Sequence, residues 1–335
     1  MSLVLKPNQV KKIAIFRALQ LGDLLCAIPA VRALRKAYPR AQITLIGLPW
    51  AVSLLQRFPG YFDDFIHFPG FPGLPEQPFD EVAFLEFEAR MQFEQFDLLL
   101  QMQGSGTIVN PLLPGLNAKY VAGFHNAESR VDSSLFVEYP QGISEVERHL
   151  VLMDHLGIPS DGNRMEFPVS EADWKEAKDL CIPVTEKSYV IIHPGSRGSW
   201  RQWPPQCFAL MADYCIERGY TAVITGTEAE RDITTEVLKC MRHPAIDLTG
   251  TTSLGVMGAL ISDAFMLVAN CTGVSHIAAA TQTPSVIISM DGEPERWGPI
   301  NKALHTTIDW TKEPHLELVL QAVDSMLNRR SESVA

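Results

Sequence analysis

Four short segments collect residues able to bind or activate a phosphorylated substrate, and each lies between an apolar run and an apolar-periodic one. In the first, residues 17–23, Gly22 opens the backbone to close approach and Asp23 places a carboxylate at a predicted helix N-terminus. The dipole there favours the charged form, so Asp23 either caps the helix or accepts a proton from a hydroxyl. The second, residues 193–205, combines Gly195 and Gly198 with Ser196, Ser199, Arg197 and Arg201. Freed N–H groups, hydroxyls and guanidinium charge together suit a diphosphate, although solvated arginines on an irregular loop fit the same composition. Trp200 and Trp203 read as packing residues. In the third, residues 225–231, Glu228 and Glu230 either cap a helix or accept hydrogen bonds from ribose hydroxyls. The fourth, residues 270–276, brings Thr272, Gly273 and His276 to another helix start, where anions bind well; a lone histidine there is commonly structural.

The elements that position these loops alternate between strand and helix. Residues 12–16 read as a buried strand, Leu24, Ile28, Val31 and Leu34 as one helix face, and residues 42–46 as the next strand. Further strands are expected at 96–101 and 119–122, with an irregular aromatic stretch over 58–79. The segment 157–183 is rich in Pro, Gly and charge and reads as a connection, with one helical run over 174–180. Beyond it, strands at 189–192, 221–225, 265–269 and 285–289 and a short one near Ile246 alternate with helices at 206–218, 228–241, 254–261 and 274–280. Strand, helix, strand order means parallel sheets, and ligands bind at the carboxyl ends of such strands. The expected organisation is α/β: two Rossmann-like doubly wound domains facing across a cleft. The first spans 1–180, with its linker from about 157, and the second spans 181–315. A helix in 316–335 either stays with the second domain or crosses back to the first.

Composition narrows the partners. The chain has 335 residues, 46% of them hydrophobic, enough for two domains to bury their own cores. A formal charge of −11 argues against nucleic acid, whose binding needs clustered cations. No apolar stretch approaches the roughly 20 residues of a membrane span, and residues 1–10 lack a signal-peptide pattern, so a cytoplasmic location is expected. The six cysteines contain no C-x-x-C pair, and five read as reduced core residues. The nine histidines show no ligand spacing and no D-x-D pair exists, so neither a metal nor any other cofactor is expected. The opening loop has one glycine, which excludes the G-x-G-x-x-G dinucleotide fingerprint.

Four segments in this order resemble glycosyltransferase family 9, the heptosyltransferase-like enzymes: residues 21–35, residues 193–204, residues 270–276 and residues 292–299. The resemblance spans most of the chain and implies a GT-B fold and inverting, metal-independent transfer. The donor it implies is a nucleotide sugar, an ADP-sugar in the family pattern, and the acceptor a cell-envelope glycan or glycolipid. By that resemblance Asp23 is the general base beside Gly22. Ser196, Arg197 and Arg201 bind the diphosphate, Glu230 (failing that, Glu228) holds the ribose, and Thr272, Gly273 and His276 complete the donor site. Two departures stand out: Cys271 occupies a position where the family usually has aspartate, and Arg201 one where lysine is common. Arg32, Lys36 and Arg40 recur at helical spacing, with Arg35 close by, and form either a solvated face or a contact for anionic lipid at the inner membrane surface. A non-hydrolysing sugar-nucleotide epimerase and a catalytically silent nucleotide-sugar binder are alternatives with the same architecture.

Overall fold

The computed structural model describes residues 3–128, 131 and 133–333, so the outermost residues of the expected 1–180 and 316–335 segments lie outside the described residues. The chain divides into two compact units, Met1–Met165 and Glu166–Ala335.

The first unit is a six-stranded parallel sheet. Its strands are β1 (Lys12–Phe16), β2 (Gln42–Gly47), β3 (Asp64–His67), β4 (Leu98–Gln101), β5 (Tyr120–His125) and β6 (Phe136–Glu138), in the order β3-β2-β1-β4-β5-β6. Its helices are α1 (Leu21–Ala37), α2 (Ala51–Leu55), α3 (Glu81–Glu94) and α4 (Glu145–His155). Ile13, Ala14, Ile15 and Phe16 are all essentially inaccessible to water, as a strand covered on both faces requires. α1 forms because Leu24, Leu25, Ile28, Val31 and Leu34 gather on its buried side, and it packs against α4. Ser144 starts α4 with a capping box: its hydroxyl accepts from the Glu147 N–H at 3.2 Å, and the Glu147 carboxylate accepts from the Ser144 N–H at 3.2 Å.

The second unit repeats the plan. Its strands are β7 (Tyr189–His193), β8 (Thr221–Ile224), β9 (Ile246–Asp247), β10 (Met266–Asn270), β11 (Ser285–Ser289) and β12 (His305–Asp309), all parallel, in the order β12-β11-β10-β7-β8-β9. The helices are α5 (Glu171–Asp179), α6 (Pro205–Ile216), α7 (Arg231–Cys240), α8 (Leu254–Asp263), α9 (Gly273–Thr281), α10 (Pro294–Trp297) and α11 (Leu316–Ser333). Counted within each unit, both sheets have the order 3-2-1-4-5-6 of the doubly wound dinucleotide-binding folds. In that order the strand direction of travel reverses between the first and fourth strands. The loops leaving β1 and β4, and those leaving β7 and β10, therefore diverge and open a crevice at the carboxyl edge of each sheet.

The division falls about fifteen residues before the expected boundary near 180. α5, read from sequence as part of a connection, packs against α8 and so belongs to the second unit. α11 packs on α6, β11 and β12 of that same unit. The supposedly irregular stretch 58–79 contains β3, a short edge strand. Of the six cysteines only Cys26, Cys215 and Cys271 are buried. Cys181 sits in a left-handed turn just past α5 and Cys240 ends α7, and both are exposed. No described helix is long and apolar enough to cross a membrane.

Candidate active site

At the crevice of the first sheet, β1 runs directly into Arg17, whose side chain is fully buried. Arg17 Nε donates to the Asp23 carbonyl at 2.8 Å, Nη1 donates to the Met102 carbonyl beyond β4, and Nη2 donates to Glu145 Oε1 at 3.3 Å. The same Nη2 lies 3.8 Å from Asp23 Oδ1. Asp23 Oδ2 accepts from the Gln20 N–H at 3.3 Å, closing the first turn of α1. One oxygen of Asp23 therefore caps the helix, as the capping reading expects, while the carboxylate stays 21% exposed beside a buried guanidinium. Gly22, next to it, is buried. Gln103 clamps the same loop, its Oε1 accepting from the Ala18 N–H at 2.7 Å.

Behind Arg17 the charges continue. Glu145 Oε2 accepts from Arg148 Nη1 at 3.0 Å, and that nitrogen also reaches the Tyr139 hydroxyl at 2.9 Å. Glu145, Arg148 and His149 are all buried. An ionised group this deep needs its partners, and Glu145 supplies the counter-charge to two arginines. Burial and the Arg17 charge push the His149 imidazole down to about 4, so it stays neutral there.

At the crevice of the second sheet, Asn270 ties the two loops together. Its buried amide donates to the Pro194 carbonyl at 2.7 Å and the Gly195 carbonyl at 3.3 Å, while its oxygen accepts from the Trp203 N–H at 2.9 Å. Gly195 leaves room for Glu230: a Cβ there would stand 2.2 Å from the Glu230 carboxyl and displace it. Glu230 Oε2 accepts from the Thr227 N–H at 2.8 Å and its hydroxyl at 2.9 Å, and lies 4.0 Å from His193 Nε2. His193 Nδ1 meets the Thr225 hydroxyl at 3.0 Å, and burial pushes this imidazole below its ordinary value against the pull of Glu230. Glu230 thus sits among the β7 and β8 loops. Glu228 instead pairs with Arg231 at 2.5 and 2.7 Å on the surface.

Thr272 is the N-cap of α9 and Gly273 its first residue, both partly exposed, with Ser275 donating to the Thr272 carbonyl at 2.6 Å. His276 is buried, its ring 6.3 Å from that of Trp297 on α10. Ser196 is buried and Arg197 exposed. Arg201, at the end of the short turn Ser199–Arg201, pairs with Asp291 at the end of β11. Only one of the two tryptophans packs. Trp203 is buried between Phe208 and Trp310, whereas Trp200 is 68% exposed, with the Arg201 guanidinium 5.4 Å from its ring centre. Arg32 is neither solvated nor turned to a membrane. It donates to the Arg164, Asp161 and Gly162 carbonyls at 2.9, 3.1 and 3.1 Å and pairs with Asp161 at 3.2 Å, because it closes the end of the first unit over α1. Arg35 similarly pairs with Asp63, and Lys36 with Asp161.

Arg17, Glu145 and Asp291 are the residues that motif reading passes over. Arg17 had a signal, a cation placed directly after a buried apolar strand. Asp291 lies one residue ahead of a segment that does resemble the family, and Glu145 looks like any acid in a helix's first turn.

Two doubly wound units, each with polar loops at its sheet's reversal point, are the architecture of the GT-B class. Residues 85–320 match the model of glycosyltransferase family 9 (heptosyltransferase), and the chain belongs to that family; it is a glycosyltransferase. The lipopolysaccharide core heptosyltransferase OpsX of Haemophilus influenzae is 24% identical over 87% of this chain and 82% of its own length. The glycosyl transferase family 9 structure from Veillonella parvula superposes with a TM-score of 0.79 at 19% identity, covering 97% of this chain and 98% of that one. The Escherichia coli heptosyltransferase WaaC, solved with ADP, gives 0.69 at 14% identity, covering 94% and 99%.

Proposed function

We propose that the protein is an inverting, metal-independent glycosyltransferase that moves heptose or a related sugar from an ADP-sugar to a lipopolysaccharide-type glycolipid acceptor. The observation that carries this reading is the Asp23 carboxylate, partly exposed at the reversal point of its sheet and backed by buried Arg17. A relative named for lipopolysaccharide core transfer and a structural neighbour holding ADP support the choice of acceptor and nucleotide.

In this mechanism Asp23 takes the proton of the acceptor hydroxyl as its oxygen attacks the anomeric carbon. The bond to the nucleoside diphosphate breaks on the opposite face, which inverts the anomeric centre. Charge builds on the departing diphosphate, and Arg197, Arg201, the Ser196 hydroxyl and the N–H groups of Thr272 and Gly273 at the head of α9 are the groups that would meet it. Arginines and a helix dipole can do this without a metal. Glu230 would hold the ribose hydroxyls, and His276 would close the sugar side of the pocket. The acceptor's lipid part would bring the enzyme to the cytoplasmic face of the inner membrane as a peripheral visitor.

Thermal shift with ADP, UDP, GDP and CMP and their sugar conjugates tests the donor. A ligand at 100 times its Kd stabilises the folded state by about 2.7 kcal/mol. The expected pattern is a rise in Tm with ADP and a larger one with ADP-heptose. No rise with any nucleotide contradicts the donor site. An epimerised sugar nucleotide, formed from donor alone, would replace transfer with epimerisation.

A further inference from the structure

The loop after β10 opens on a neutral residue, Cys271, while a carboxylate stands one strand over at Asp291. Cys271 leaves the end of β10 and Asp291 leaves just beyond the end of β11, and the two strands pair in register through Asn270 and Ile288. Asp291 is nearly buried, its side chain 6% exposed. Its Oδ1 is anchored twice, accepting from the Ser289 hydroxyl at 2.7 Å and from the Glu293 N–H at 3.2 Å. Its Oδ2 accepts from Arg201 Nη2. One end of this pair is therefore rigid, while the other is a long side chain on a three-residue turn, 30% exposed. Such a side chain gives up rotamer freedom whenever it binds a ligand unless something has already fixed it.

We infer that Asp291 is a positioning residue for the donor diphosphate: anchored at the end of β11, it holds the Arg201 guanidinium in place. This rests on the reading of Arg201 as a diphosphate ligand. The neutrality of Cys271 then has a reason. Its thiol is buried beside both charges and is pushed up to about 12, chiefly by burial with Asp291 adding to it. A second carboxylate at 271 would crowd two like charges onto one guanidinium.

The test is a double-substitution cycle read by ADP and UDP affinity, by KM and kcat with ADP-heptose, and by Tm. Asp291→Asn keeps the size and the Ser289 contact but removes the charge. Its expected effect is a rise in Kd and KM on the order of tenfold, the usual worth of a charge-assisted contact, with kcat moved less. Cys271→Asp alone should also weaken binding, whereas Cys271→Asp with Asp291→Asn should recover most of the wild-type affinity. A merely structural Asp291 would show a lower Tm and no such recovery. Arg201→Ala separates the two levels of the claim. If Arg201→Ala weakens nucleotide binding while Asp291→Asn does not, the positioning role is overturned and the donor site stands. If Arg201→Ala binds like wild type, or the wild type binds neither nucleotide, the donor site itself fails and the inference with it.

Discussion

The Arg17 guanidinium grips Asp23 twice, donating from Nε to its backbone carbonyl at 2.8 Å and resting Nη2 3.8 Å from its carboxylate, while Glu145 takes the same Nη2 at 3.3 Å. The proposed base is thus held by a buried side chain that spans the ends of β1 and β4. Arg17→Met should leave Glu145 and Asp23 short of counter-charge and cost about 3–5 kcal/mol of stability, the usual penalty for breaking a buried pair. Arg17→Lys keeps the charge but cannot reach three acceptors in one plane. Its expected signature is a fall in kcat larger than any change in nucleotide affinity, measured by steady-state kinetics and calorimetry. Equal losses in both would contradict a role confined to Asp23.

Gly195→Ala tests the other sheet. The new Cβ would meet the Glu230 carboxyl at 2.2 Å, and since that is the tip of a flexible side chain, Glu230 should swing away and lose its Thr227 contacts. Nucleotide affinity should fall by roughly the worth of one or two hydrogen bonds to a charged group, about 1.5–3 kcal/mol, with Tm moved little. A nucleoside diphosphate lacking ribose hydroxyls should show no such loss. Titration of both ligands against both proteins checks it.

Stability should fall in mild acid for an identifiable reason. Burial, helped by Arg17, pushes His149 down to about 4, and burial, helped by Lys302, does the same to His305, against an ordinary value of 6.5. Between those limits the unfolded chain binds protons that the folded one refuses, so stability is full above 6.5 and is lost as pH falls toward 4. Each histidine contributes a slope of up to about 1.4 kcal/mol per pH unit in that window. Urea midpoints measured from pH 7 to 4.5 should show the decline, and His149→Leu should flatten it by up to one proton. An unchanged slope in that variant contradicts the assignment.

The cysteines should divide by reactivity. Cys181 and Cys240 are exposed, whereas burial pushes the Cys215 and Cys271 thiols up to about 12. A thiol reagent reacts with the thiolate, so native alkylation at pH 8 should label Cys181 and Cys240 and spare Cys271. Peptide mass spectrometry reads this directly, and early labelling of Cys271 would contradict its placement.

The strands that were legible in sequence are the central ones. Tyr189–His193 and Ser285–Ser289 are buried on both faces, so they appear as unbroken apolar runs between turn residues. Asp64–His67, Phe136–Glu138 and His305–Asp309 escape because edge and near-edge strands are short, half-wet and polar; His-Thr-Thr-Ile-Asp shows no apolar run at all. The site divides in the same way. Asp23, in the first turn of α1, and Arg201 and Glu230, on the short turns after β7 and β8, lie in segments whose polar residues follow apolar strands in sequence. The contacts that hold them are not legible that way, because Arg17 to Glu145 spans 128 positions and Arg201 to Asp291 spans 90, and only the sheet order brings those ends together.

Removal of the acceptor proton by Asp23 is isolated by comparing two proteins that differ only in that carboxylate. Transfer from ADP-heptose to a lipopolysaccharide-core acceptor is followed for wild type and Asp23→Asn, with nucleotide affinity measured on the same samples. Losing a general base costs about a hundred- to ten-thousand-fold in rate, so Asp23→Asn should bind nucleotide like the wild type and transfer sugar slower by that factor. Transfer at an undiminished rate by Asp23→Asn would contradict the claim.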